Sequence, residues 1–158
     1  MYSVLFVCTA NICRSPMAMG LLRAQVSQEA NEWRIESAGV WAQNGQPAAV
    51  FTRQVLAERG IELGDFRSRP ITRDLVESFN LILTMERGQK EALRAAFPQQ
   101  ASKVFLLTEM ANKLGDVVDP IGGPLMDYED TAREIEQILT KGYERIRELA
   151  ADAPDAGS

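Results

Sequence analysis

Cys8 and Arg14 are separated by five residues in Cys8-Thr9-Ala10-Asn11-Ile12-Cys13-Arg14, and Ser15-Pro16 follows at once. A thiol and a guanidinium at that spacing suit a loop that curls round one tetrahedral oxyanion, with successive backbone amides turned inward. Such amides, a helix N-terminus and the Ser15 hydroxyl would each favour the ionised sulfur, supplying a nucleophile. The planar fork of arginine can take two phosphate oxygens and hold phosphorus in line with sulfur. The chemistry open to this pair is phosphoryl transfer through a cysteinyl-phosphate. An arbitrary Cys-x5-Arg is more often a core cysteine and a solvated arginine. Here the order of apolar strand, loop, Ser-Pro helix start and helix favours chemistry.

Cleaving a phosphate ester also requires a proton for the leaving oxygen. The chain contains no histidine, which removes Ser-His-Asp and Cys-His systems and His-ligated metals. A carboxylic acid on another loop is then the natural donor. Asp119 is the candidate, in Asp116-Val-Val-Asp119-Pro120-Ile121-Gly122-Gly123-Pro124. It lies between a predicted strand and the last predicted helix, and Pro120 fixes the backbone directly behind it. Asp-Pro is also common in ordinary turns; the Cys–Arg loop upstream favours the acid role. This scheme calls for no metal and no cofactor.

These side chains need a frame. Four short apolar segments, Val4–Val7, Trp33–Glu36, Leu81–Met85 and Val104–Leu107, read as strands separated by stretches of helical period. That is the pattern of βαβ units round a parallel sheet, so the predicted fold class is α/β. In open sheets of this kind ligands bind at the carboxyl ends of the strands, where Cys8–Arg14 falls. Ser15 is the expected N-cap of the first helix and Pro16 its first residue, with Ala18, Leu21, Leu22 and Val26 facing inward. Further helices are expected from Pro47 to about Arg59, closed by Gly60, and over Glu86–Phe97, stopped by Pro98. A last helix follows the stripe Ala132, Ile135, Leu139, Gly142, Ile146, Leu149. Residues 1–151 form the expected single domain and 152–158 a frayed tail.

Composition narrows the partners. The 158 residues include 17 Lys+Arg against 22 Asp+Glu, a net charge of −5, unlike the basic footprint of a general nucleic-acid binder. No run approaches the ~20 apolar residues of a membrane span, and Val4–Cys8 lacks the layout of a secretory signal. Two cysteines make neither a disulfide scaffold nor a structural zinc site, and they fit a reducing cytoplasm.

From about Ser3 to Leu149 the chain resembles the low-molecular-weight protein tyrosine phosphatases. The resemblance rests on Val4-Leu-Phe-Val-Cys8-x5-Arg14-Ser15-Pro16, Ser37-Ala-Gly39, Arg67-Ser-Arg69, Leu81-Ile-Leu-Thr-Met85 and Asp119-Pro120. It implies a single three-layer domain with a four-stranded parallel sheet flanked by helices. It implies Cys8 as nucleophile, Arg14 as ligand of the phosphate and transition state, and Asp119 as acid and then base. Asn11, Ser15 and Ser37 would brace the loop, while Thr9, Ala10, Asn11, Ile12, Cys13 and Ser15 would surround the substrate phosphate. Trp41, just past the second strand, would form a wall of the cleft or pack under a loop. The resemblance further implies that Cys13 can form a reversible disulfide with Cys8. The partners it implies are phosphorylated proteins, among them tyrosine kinases and their targets, which in bacteria are often those of exopolysaccharide synthesis.

Several residues depart from the family pattern. Ala10 stands where glycine is usual, and a left-handed backbone there would cost about 1 kcal/mol. Phe66 replaces a histidine that supports the loop asparagine, Met19 replaces a glutamate, and Ile121-Gly122 replace paired tyrosines. A branch that hydrolyses phosphoarginine shares Cys8-Thr9 and Asp-Pro-x-Gly-Gly, yet usually carries threonine at the place of Ile12. Isoleucine offers apolar area to a phenyl ring and no hydroxyl to a guanidinium. Phosphotyrosine is therefore the expected substrate and phosphoarginine the alternative. An arsenate reductase would need cysteines beyond Cys13, and a phosphate-binding regulatory module would need neither thiolate nor acid. No Walker motif is present.

Overall fold

A computed structural model describes residues 1–152. Four parallel strands, β1 (Tyr2–Cys8), β2 (Trp33–Gly39), β3 (Leu81–Thr84) and β4 (Val104–Leu106), lie in the order β2-β1-β3-β4. β1 is central, and Val4, Leu5, Phe6 and Val7 are fully buried, as expected of a strand covered on both faces. Alternation along β1 sends Val4 and Phe6 into one core and Leu5 and Val7 into another. The first core is covered by α1 (Arg14–Gln25), α2 (Val50–Ala57), α5 (Leu125–Lys141) and α6 (Tyr143–Ala150). The second is covered by Val76 of α3 (Arg73–Ser78) and Leu93 of α4 (Arg87–Ala96). The result is the three-layer α/β domain.

Register fixes the floor of the site. Cys8 pairs with Gly39, and Val7 with Thr84, so β1, β2 and β3 end beside one another. Gly39 is required by close approach, because a Cβ there would lie 2.5 Å from the carbonyl oxygen of Thr9.

Some expected boundaries are corrected. Ser15 is not the N-cap of α1: Cys13 holds that position without a side-chain cap, and Ser15 lies inside the first turn. Its hydroxyl is spent elsewhere, on Cys8 and Asn11. Pro16 still fits, since first-turn N–H groups have no intrahelical acceptor. α2 starts at Val50 rather than Pro47, because the Ala49 amide instead donates to the carbonyl of Ile12. Gly60 follows α2 with a positive φ of 72°, as a closing glycine should. The last stripe is two helices broken at Gly142, where a Cβ would come within 2.7 Å of the Met110 carbonyl oxygen. α3 is an additional short helix, capped by Thr72, whose hydroxyl accepts from the Leu75 amide. Asp152 meets the N-terminal amine at 3.4 Å and Asn80 at 3.0 Å, so it belongs to the domain. The rest of the expected tail, 153–158, lies outside the described residues.

Candidate active site

Between β1 and α1 the chain from Cys8 to Arg14 turns over the carboxyl edge of the sheet. The turn needs one left-handed residue, and Asn11 supplies it with φ 60°; asparagine tolerates this region better than most side chains. Ala10 is not left-handed, so the strain expected there does not arise. The Asn11 side chain is buried and fully engaged. Its Nδ2 donates to Ser15 Oγ (2.8 Å) and Ser37 Oγ (2.9 Å), and its Oδ1 accepts from the Arg69 amide (3.0 Å). This brace is complete without a histidine, and Phe66 packs against the core instead.

Cys8 Sγ lies 2.9 Å from Ser15 Oγ. The four side chains Cys8, Ser15, Asn11 and Ser37 thus form one hydrogen-bonded row from the sulfur into the sheet. Arg69 extends it, donating from Nε to the Ser37 carbonyl (3.0 Å) and from Nη2 to Glu36 (2.6 Å).

Arg14 is only 1% exposed. Its Nη1 donates to the Val117 carbonyl (2.7 Å) and meets Glu86 Oε1 at 3.0 Å, while Nη2 meets Asp119 Oδ2 at 3.4 Å. Val117 takes a hydrogen bond from Nη1 and Asp119 one from Nη2, while Glu86 adds an ion pair. Nε makes no hydrogen bond among the described residues, so the guanidinium keeps N–H groups for phosphate oxygens. A buried arginine between two carboxylates is paired in charge and still carries donors for a further anion.

Asp119 reaches Arg14 from its separate loop, with Oδ2 3.4 Å from Nη2. Its Oδ1 accepts from the Ile121 amide (3.1 Å), closing the turn round Pro120. Asp116 faces elsewhere and accepts from the Arg87 amide (2.8 Å) at the start of α4. Ile12 is half-buried, and Trp41 is 85% exposed, with its amide donating to the Thr9 carbonyl (2.9 Å). Trp41 is therefore not packed under a loop; it stands at the rim beside Thr9.

Cys13 is buried, with its sulfur 3.6 Å from the hydroxyl of Tyr128. Burial pushes the Cys13 thiol up to about 11 and raises Tyr128 as well. Because the folded value lies above the ordinary 9.0, the thiol's contribution to stability is complete below pH 9 and is lost as pH rises through about 11. Thermal unfolding followed against pH should show an alkaline fall over this window that shrinks in Cys13→Ala; an identical fall in both proteins would refute the assignment.

Three contributors were not visible in the sequence: Glu86, Gln89 and Tyr128. Glu86 and Gln89 follow directly on β3, and a carboxylate at the carboxyl end of a parallel strand was the available signal.

A phosphate-sized loop at the carboxyl end of a parallel sheet, with cysteine, arginine and an opposed aspartate, defines the class of cysteine-dependent phosphatases. The chain belongs to the low molecular weight phosphotyrosine protein phosphatase family, whose family model matches residues 3–152. It is 35% identical over 147 residues to the protein-arginine-phosphatase of Geobacillus stearothermophilus, covering 92% of this chain and 97% of that one. It is 31% identical over 138 residues to the low molecular weight protein-tyrosine-phosphatase PtpB of Staphylococcus aureus, covering 87% and 94%. The crystal structure of the low molecular weight protein tyrosine phosphatase from T. tengcongensis superimposes with a TM-score of 0.87 at 38% identity, covering 92% and 99%.

Proposed function

We propose that this enzyme hydrolyses phosphotyrosine in proteins through a cysteinyl-phosphate on Cys8. The observation that carries the reading is the Arg14 guanidinium, buried at the end of the Cys8 loop and held by Val117, Glu86 and Asp119, with its Nε hydrogen-bonded to none of them. The substrate phosphate sits in the Cys8–Arg14 loop against that guanidinium. Cys8 sulfur attacks phosphorus as the bond to the tyrosyl oxygen breaks, and Asp119 gives its proton to that oxygen. Asp119, now a carboxylate, takes a proton from water as the water oxygen attacks phosphorus. The S–P bond breaks, and inorganic phosphate and the Cys8 thiolate result. Arg14 binds the equatorial oxygens throughout and so stabilises charge where it spreads in the transition state. Asn11, Ser15 and Ser37 hold the loop in shape; Thr9, Ala10, Ile12 and Trp41 form the surroundings of the phosphorylated side chain.

The reading includes a cytoplasmic location and a reversible Cys8–Cys13 disulfide under oxidation, both supported by two free thiols five positions apart in one loop. Its protein partners are phosphorylated substrates, including tyrosine kinases and their targets.

Phosphoarginine is the second reading, favoured by the 35% identity to a protein-arginine-phosphatase. Ile12 decides for phosphotyrosine, since a half-buried isoleucine at the loop offers an aromatic ring apolar contact and a guanidinium no acceptor. Phosphotyrosine and phosphoarginine peptides competed in one assay should show preference for the first, and Ile12→Thr should move the ratio towards the second by about tenfold or more. A phosphoarginine preference in the unmodified protein would reverse the choice.

A further inference from the structure

The Cys8–Arg14 loop is gripped at both ends by one buried amide that lies outside it. Gln89, in the first turn of α4, is 4% exposed. Its Oε1 accepts from the amides of Met85 and Glu86, each at 3.0 Å. Its Nε2 donates to Thr9 Oγ1 at 3.0 Å and to Glu86 Oε2 at 3.1 Å. Two acceptor sites and two protons are thus all spent, the full capacity of a primary amide. Through its donors the group touches the residue next to the nucleophile and, by way of Glu86 Oε1 on Arg14 Nη1 (3.0 Å), the guanidinium that closes the loop.

We propose that Gln89 is a positioning residue for phosphoryl transfer: its amide, through Thr9 and Glu86, fixes the nucleophile's end of the loop relative to the Arg14 guanidinium. The inference rests on the phosphatase reading above. The two halves of the amide do different work. The acceptor half caps the end of β3 and the start of α4, and would matter for folding alone. The donor half makes one contact at the start of α4, to the capping Glu86, and one beyond it, reaching across 80 residues of sequence to Thr9. A burial cost is avoided only because every polar atom is matched, and the geometry so obtained is shared by sulfur and guanidinium. These two groups must be in register along the in-line axis only when phosphorus is five-coordinate. Loss of the grip should therefore weaken the transition state more than the bound ground state.

Gln89→Glu keeps Oε1 as acceptor and removes both donors, but it sets a second carboxylate beside Glu86 Oε2, so the uncharged Thr9→Val is the controlling variant. Thr9→Val removes the same bond from the other side with nearly unchanged volume, and Thr9→Ser restores the hydroxyl. Turnover of p-nitrophenyl phosphate and inhibition by vanadate and inorganic phosphate would be measured on all of them and on the double variant. Gln89→Glu and Thr9→Val are each expected to lower kcat about tenfold with KM within about twofold. Vanadate inhibition should weaken in step with kcat while phosphate inhibition barely changes. Thr9→Ser should recover most of kcat, and the double variant should be little worse than either single one. Unchanged kcat in Gln89→Glu and Thr9→Val, parallel weakening of vanadate and phosphate, or additive losses would each overturn the proposal. A wild-type protein without turnover would instead refute the phosphatase reading itself, so the two failures are distinct.

Discussion

Cys8→Ser is expected to lose on the order of 10⁴-fold or more in turnover of p-nitrophenyl phosphate, while still binding inorganic phosphate. The side chain is nearly the same size and Ser15 Oγ, 2.9 Å from the sulfur, can hydrogen-bond to either atom. The Asn11 brace does not involve position 8, so the loop keeps its shape. What is lost is the nucleophile: a serine hydroxyl attacks phosphorus far more weakly than sulfur, and no base stands beside it to take its proton. Kinetics and a phosphate titration on one preparation separate the cases. Normal turnover would overturn the covalent mechanism, and loss of phosphate binding together with turnover would mean a collapsed loop.

Asp119→Asn should lower kcat for a phosphotyrosine peptide on the order of 10²–10³-fold, and less for p-nitrophenyl phosphate, whose leaving oxygen needs little help. Asp116→Asn should stay near wild type, because its task is to accept from the Arg87 amide and an amide oxygen can do the same. Glu86 is the rival carboxylate, nearer to Arg14 at 3.0 Å against 3.4 Å for Asp119. It is a poor acid, since its second oxygen accepts from Gln89 and its side chain also caps α4. Asp119 Oδ2 has only the 3.4 Å contact to Arg14 and is the freer to carry a proton. Equal losses in Asp116→Asn and Asp119→Asn, or no dependence on the leaving group, would sink this assignment.

The sheet was legible because its signal is local: each strand is a short apolar run that begins and ends within a residue or three of its sequence limits. Cys8, Arg14 and Asp119 were legible because few residue types can do this chemistry without histidine. Ser15 misled because an N-cap preference is a local statistic, whereas the hydroxyl serves partners at positions 8 and 11. Gly142 misled because its reason is Met110, distant in sequence. Ala10 was suspected of strain when the neighbouring asparagine had taken the left-handed turn. Glu86 and Gln89 look like an ordinary helix start; only the fold brings Thr9 and Arg14 to them.

The supports of the loop come from far along the chain. Asn11 is held by partners 26 and 58 residues away, Thr9 by one 80 away and Arg14 by one 105 away. Closing such spans costs entropy that only the packed fold repays, so the shape of the loop depends on the completed fold. Catalysis is consequently a readout of the completed fold: β1 and α1 alone carry both Cys8 and Arg14, yet a chain that has not docked α4 and the Asp119 loop is chemically silent.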